Sequence, residues 1–225
     1  MDITEILRRT DHTLLRPDAT WEAIRRLCDE GMTFGTASVC IPPLYVAQGA
    51  EYLCGRLPVC TVIGFPTGYS TTAVKAAETR QAAADGADEI DMVIPVGRVK
   101  EGAYDAVLAD IRAVRAACEG KILKVIVETC LLTEDEKRRM CDIVSASGAD
   151  YIKTSTGFSK GGATVADIRL FAAHVAPRVK IKAAGGIGTL ADAAALLEAG
   201  ADRLGSSRLV ELAAQAAARP GGEPL

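Results

Sequence analysis

Short apolar strands seldom hold a lysine in their interior, yet this chain of 225 residues has two such strands in which one stands close to the strand's end. Lys153 lies in ADYIKTSTGF (149–158) and Lys182 in VKIKAAGGIG (179–188), each about two residues before a turn rich in small residues. Strand alternation puts Tyr151, Lys153 and Ser155 on one face, and Lys180, Lys182 and Ala184 on one face of the other strand. If both faces look into one pocket, two ammonium groups meet where water is scarce. Like charge and lost hydration both oppose protonation, so one amine should release its proton more readily than the usual ~10.4 allows. A neutral, desolvated lysine is a nucleophile towards carbonyls and forms Schiff bases. Asp91, in EIDMVIP, supplies a carboxylate that could shuttle protons through water. The competing reading is structural: a snorkelling side chain, or an ion pair in which Asp91 neutralises one lysine. That reading suits one lysine better than two at equivalent heights beside an acid.

Three turns add a second theme. Thr156-Gly157-Phe158-Ser159, Gly185-Gly186-Ile187-Gly188 and Gly205-Ser206-Ser207 each follow a predicted strand. Glycine lets backbone N–H groups approach an anion closely, and serine adds hydroxyl donors, which together suit a phosphate. Tight turns alone would also recruit glycine. Beside the lysine pair, three such turns favour a small phosphorylated substrate.

The elements that must position these groups alternate. Strand candidates begin at HTLL near 12, ASVCI at 37, VCTVIGF at 59 and EIDMVI at 89, then LKVIVE at 123, YIKTS at 151, VKIKAA at 179 and RLGSS at 203. Between them run Ala-rich segments of helical period, several opening on Ser or Thr and closing on Gly. Two end GADE and GADY, an αβ turn used twice. Eight strands in strict alternation with helices predict parallel βαβ units closed into a (β/α)8 barrel, the TIM-barrel class, with MDITEILRR as an extra N-terminal helix. An open doubly wound sheet is the alternative, but no GxGxxG follows the first strand. The barrel is read as one domain over 1–225, with its core at 10–210 and a flexible tail at 216–225. Functional groups then belong at the C-terminal strand ends. Lys124 and Lys180 fall at strand starts, where the barrel bottom is wet, and are read as structural.

Composition narrows the classes. A formal charge of −3 argues against a nucleic-acid binder. No apolar run nears the roughly 20 residues of a membrane span, and MDITEILRRTD lacks a signal-peptide core, so a cytoplasmic protein is expected. Seven cysteines without CxxC spacing predict neither a disulfide framework nor zinc, and read as apolar fillers. Two histidines make a His-rich metal site improbable. No cofactor and no metal are expected, and a homodimer is left open.

Taken in order, DHTLL (11–15), SVCIPP (38–43), VIGFPTG (62–68), DEIDMVIPVG (88–97), KVIVET (124–129), DYIKTSTGF (150–158), IKAAGG (181–186) and RLGSS (203–207) resemble the deoxyribose-phosphate aldolase (DeoC) family of class I aldolases. The similarity runs from about residue 10 to 210 and touches every strand end. It implies metal-free, reversible cleavage of 2-deoxy-D-ribose 5-phosphate to acetaldehyde and D-glyceraldehyde 3-phosphate, in deoxynucleoside catabolism. By the resemblance, Lys153 forms the Schiff base, Lys182 perturbs it and Asp91 relays protons. Asp11 and Thr13 line the pocket, and Gly157, Gly185, Gly186 and Ser207 contact the phosphate. The chain departs from the family pattern at Arg208, where a small residue is usual, and in having no tyrosine after Tyr151. Arg208 either adds contacts to the phosphate or points into solvent. Two rival readings stand beside this one: another phosphosugar-barrel enzyme (a different Schiff-base aldolase or an epimerase), or a barrel that binds a sugar phosphate without turnover.

Overall fold

Eight apolar runs become strands: β1 (Thr10–Thr13), β2 (Ser38–Ile41), β3 (Val59–Ile63), β4 (Glu89–Val93), β5 (Ile122–Ile126), β6 (Tyr151–Lys153), β7 (Lys180–Ala184) and β8 (Arg203–Ser206). Each pairs in parallel with its sequence neighbours, and β8 returns to β1, so the sheet closes into a barrel. The computed structural model describes residues 1–217. Residues 218–225, most of the predicted tail, lie outside the described residues, while Ala216 and Ala217 belong to the last helix.

The helices are α1 (Ile3–Arg8), α2 (Trp21–Phe34), α3 (Val46–Leu53), α4 (Thr72–Ala84), α5 (Val96–Lys100), α6 (Tyr104–Ala117), α7 (Glu134–Ser147), α8 (Val165–His174), α9 (Leu190–Glu198) and α10 (Leu209–Ala217). The extra helix predicted at the N-terminus is α1. Short α5, inserted between β4 and α6, was not legible from periodicity. Thr20, Thr133, Thr164 and Thr189 each accept a backbone N–H in the first turn of the helix they precede. A cap of this kind contributes about 1 kcal/mol. None of the helices among the described residues is long and apolar enough to cross a membrane.

The GAD turn occurs three times, at 86–88, 148–150 and 200–202. Its glycine takes positive φ, at 103°, 88° and 116°, where a side chain would be strained. Its aspartate then locks the bottom of the preceding strand. The carboxylates of Asp88, Asp150 and Asp202 accept the N–H groups of Val59, Leu123 and Ile181 at 3.0, 2.8 and 2.8 Å. The N–H groups of the same aspartates donate to the carbonyls of those three residues.

The apolar core lies between barrel and helices, where Ile90, Met92, Val125, Ile152 and Leu204 meet residues such as Ile111, Val144, Ile168 and Phe171. The barrel interior is different. A small apolar cluster of Cys40, Cys60 and Val62 occupies one side, with Leu15 and Phe65 against it. Charged side chains fill the rest.

Candidate active site

Register brings the charged residues level. Asp91 on β4 stands opposite Lys124 on β5, Lys153 on β6 opposite Lys182 on β7, and Lys182 opposite Arg203 on β8. Their inward side chains converge on two carboxylates. Asp91 Oδ2 accepts from Lys153 Nζ at 2.7 Å and Lys182 Nζ at 2.6 Å, and its Oδ1 accepts from Lys124 Nζ at 2.7 Å. Asp11, which lies within β1, accepts from Lys182 through one oxygen and from Arg203 at 2.7 Å through the other. Glu89 completes the cluster, 2.6 Å from Lys124.

These charges are dry: Lys124, Lys182, Asp11 and Asp91 are 0 % exposed and Lys153 is 3 % exposed. Burial alone would neutralise each group, but mutual pairing reverses that. Burial works against the ammonium of Lys182, yet Asp11 and Asp91 hold its pKa well above the ordinary lysine range. Burial also opposes the charge on Lys124, and Asp91 leads the acids that keep it protonated. Asp91 itself resists burial because Lys124, Lys153 and Lys182 surround it, which holds it well below the usual carboxylate range. Asp11 is depressed in the same way by Lys182, Lys124 and Arg203. The expected lysine pair is therefore part of a larger network, and its member Lys182 is a fixed cation.

Above the cluster opens a cavity of about 920 Å³ at the C-terminal ends of the strands. Of the three clustered lysines, Lys153 lines it. Thr13, Gly157, Gly185, Gly186 and Ser207 line it too, as does Arg208. Asp11, Asp91 and Lys182 lie beneath and do not border it. Arg208 borders the cavity at the start of α10, beside Ser206, whose hydroxyl accepts its N–H at 3.1 Å. The glycine turns pack on each other: a Cβ at Gly185 would stand 3.3 Å from the Cα atoms of both Gly157 and Gly162.

Of the two lysines read as structural at a wet barrel bottom, one needs correcting and the other holds. Lys124 does not sit at a wet barrel bottom; it is fully buried and level with Asp91. Lys180 is exposed and lies over the Tyr151 ring, 5.8 Å from its centroid. Sequence reasoning missed Glu89, Arg203 and His12, whose ring borders the cavity and bonds Glu30 at 2.7 Å. Alternation within EIDMV could have placed Glu89 on the face of Asp91.

Potential metal donors meet at the same place. The thiols of Cys40 and Cys60 lie within 4.8 Å of each other and of an Asp91 oxygen. A cation there would meet the Lys124 ammonium, 3.2 Å from Cys60 Sγ and 2.7 Å from Asp91 Oδ1. Like charge at that distance makes the donor set a poor metal site. The Cys60 thiol is pushed up by burial, which further opposes the thiolate a metal needs.

The model of the DeoC/LacD family aldolases matches residues 6–211. The chain belongs to that family. It is an aldolase, and its relatives agree in length as well as sequence. The deoxyribose-phosphate aldolase of Clostridium botulinum is 55% identical over 212 residues, covering 94% of this chain and 96% of that one. Among solved structures, the aldolase QR15 superposes with a TM-score of 0.90 at 35% identity, covering 94% of this chain and 95% of that one. The tetrameric deoxyribose phosphate aldolase of Aeropyrum pernix gives 0.89 at 29% identity, covering 96% and 93%.

Proposed function

We propose that this aldolase cleaves 2-deoxy-D-ribose 5-phosphate reversibly to acetaldehyde and D-glyceraldehyde 3-phosphate through an imine on Lys153. The carrying observation is that Lys153 alone of the three clustered lysines borders the cavity, with Gly157 and Gly185 on the same wall. Four cations, Lys124, Lys153, Lys182 and Arg203, face the carboxylates of Asp11, Glu89 and Asp91. The cluster reaches neutrality when one amine gives up a proton. Lys153 touches one carboxylate, whereas Lys182 and Lys124 each touch two or more.

The free amine attacks C1 of the open-chain sugar and water leaves, giving an iminium. Electrons of the C2–C3 bond flow into that cation as the C3 hydroxyl loses its proton, and glyceraldehyde 3-phosphate departs. The remaining enamine is protonated at carbon, and hydrolysis frees acetaldehyde and Lys153. Asp91 stays ionised, because the Lys124 and Lys182 ammonium groups occupy its two oxygens, and it orients the water that moves protons. Gly157, Gly185, Gly186 and Ser207 hold the phosphate remote from the reacting bond, where binding energy fixes C1 against the amine. Arg208 adds a charge-assisted contact to the same anion.

We assign the reaction to deoxynucleoside catabolism in the cytoplasm, in a protein folded as one domain. Borohydride reduction in the presence of acetaldehyde, followed by peptide mass analysis, tests the chemistry. An adduct on Lys153 that is absent from Lys153→Arg is required, and no adduct on any lysine would reject the reading.

A further inference from the structure

Glu128 closes KVIVE at the end of β5, and nothing in the proposed chemistry uses it. It is 3 % exposed, a large acid buried at the top of the barrel. Its backbone is left-handed, at φ 57° and ψ 65°, which is costly for a residue with a long side chain. Its carboxylate does not reach the lysine cluster. It turns instead to the loop that follows Lys153. Thr156 Oγ1–H donates to Glu128 Oε2 at 2.5 Å, and the Thr156 N–H donates to both carboxylate oxygens at 3.3 Å. The Thr156 hydroxyl in turn accepts the N–H of Phe158 at 3.1 Å, so one acid fixes the turn on both sides of Gly157. The Thr129 N–H donates to Thr154 O at 2.9 Å, which ties the Glu128 loop to the same strand end.

That turn is coupled onward. Gly157 packs against Gly185, and Gly162 lies so close to Gly185 O that a Cβ there would stand 2.2 Å away. The two phosphate-side loops therefore move together or not at all, and Glu128 is the charged group that anchors the first of them. We infer that Glu128 is a positioning residue for the phosphate end of the substrate: its carboxylate, held in a strained backbone, sets the Thr156–Gly157 turn without touching the reacting atoms. The inference rests on the functional reading above and adds a residue to it. It separates two steps, because acetaldehyde needs Lys153 but no phosphate cradle.

Two readouts distinguish this from a merely structural role: KM for 2-deoxyribose 5-phosphate, and borohydride trapping of acetaldehyde on Lys153. Glu128→Gly relieves the positive φ while removing the carboxylate. It should raise KM by roughly tenfold or more, the range for losing hydrogen bonds to a charged group, with adduct yield unchanged. Glu128→Gln, which keeps shape and one acceptor, should fall between it and the wild type. Thr156→Val removes the hydroxyl link by a second route and carries the test if Glu128→Gly fails to fold. In the double variant Glu128→Gln, Thr156→Val, the effects should not multiply, since both cut one connection. Unchanged KM in the folded Glu128 variants, or independent effects in the double variant, would overturn the inference and leave the function standing. Wild-type protein that traps no acetaldehyde would overturn both.

Discussion

Lys153 and Lys182 face each other in register across β6 and β7, and both ammonium groups bond the same oxygen, Asp91 Oδ2, at 2.7 and 2.6 Å. Sharing one acceptor holds two cations closer than they would otherwise rest. Lys182 has a second anchor in Asp11, so it keeps its charge while Lys153 faces the cavity.

Replacing Lys182 by Leu tests that asymmetry. The variant leaves Asp91 with one fewer cation beside Lys153. The rate of adduct formation with acetaldehyde should then reach its plateau at higher pH, and at pH 7 should fall by about tenfold, one pH unit of displacement. Trapping followed from pH 5 to 9 decides the matter; a superimposable profile would reject the electrostatic role.

Asp91 supports more than one lysine. Asp91→Asn keeps the shape but removes the charge that Lys124, Lys153 and Lys182 share. Stranding buried cations should destabilise the fold by roughly 3–5 kcal/mol. Urea denaturation measures it, and a loss below about 1 kcal/mol would mean that the remaining acids compensate.

The faces of the strands were legible in the sequence, but their heights were not. Alternation put Lys153 and Lys182 on strand faces that the barrel turns towards Asp91, and the glycine turns lie along the cavity rim. Lys124 went wrong because a residue near the start of its own strand can still be level with the site. Strand stagger around a closed barrel decides that, and stagger is a property of the whole sheet. Asp11, expected to line the pocket, instead lies beneath it in β1, where it pairs with Lys182. The GAD turn was readable as a repeat, yet its lock on the preceding strand needs two strands in place before it exists.

Acid should unfold the protein in a predictable order. Asp11 and Asp91 titrate lower in the fold than in the open chain, so their contribution is complete above about pH 4. Below that the unfolded chain binds protons first, and stability is lost as pH falls towards the folded values. Burial depresses His12 as well, so its neutral folded form adds a shallower loss that begins near pH 6.5. Denaturant midpoints should therefore decline gently from pH 7 to 4 and steeply below. Asp11→Asn should flatten the steep limb, and His12→Gln the gentle one. A midpoint that rises on acidification would contradict both.

The contact between the two phosphate-side loops offers the sharpest separation of binding from chemistry. Gly162 has no room for a methyl group: its Cβ would stand 2.2 Å from Gly185 O and 2.8 Å from Gly186 N. Both neighbours are backbone, and Gly185 and Gly186 already sit at φ 80° and 73°, so neither can rotate away cheaply. Gly162→Ala must therefore push the loops apart. Displacement by about an ångström at a positioning group can lower activity by ~10²-fold, and here it should appear as raised KM for the phosphorylated substrate. Lys153 lies deeper, on β6, so trapping of acetaldehyde should persist. Gly97→Ala is the control, because nothing lies within 4 Å of the Cβ it would gain. Steady-state kinetics and trapping on both variants decide the outcome: equal effects at Gly97 and Gly162 would mean that loop contact does not build the phosphate site.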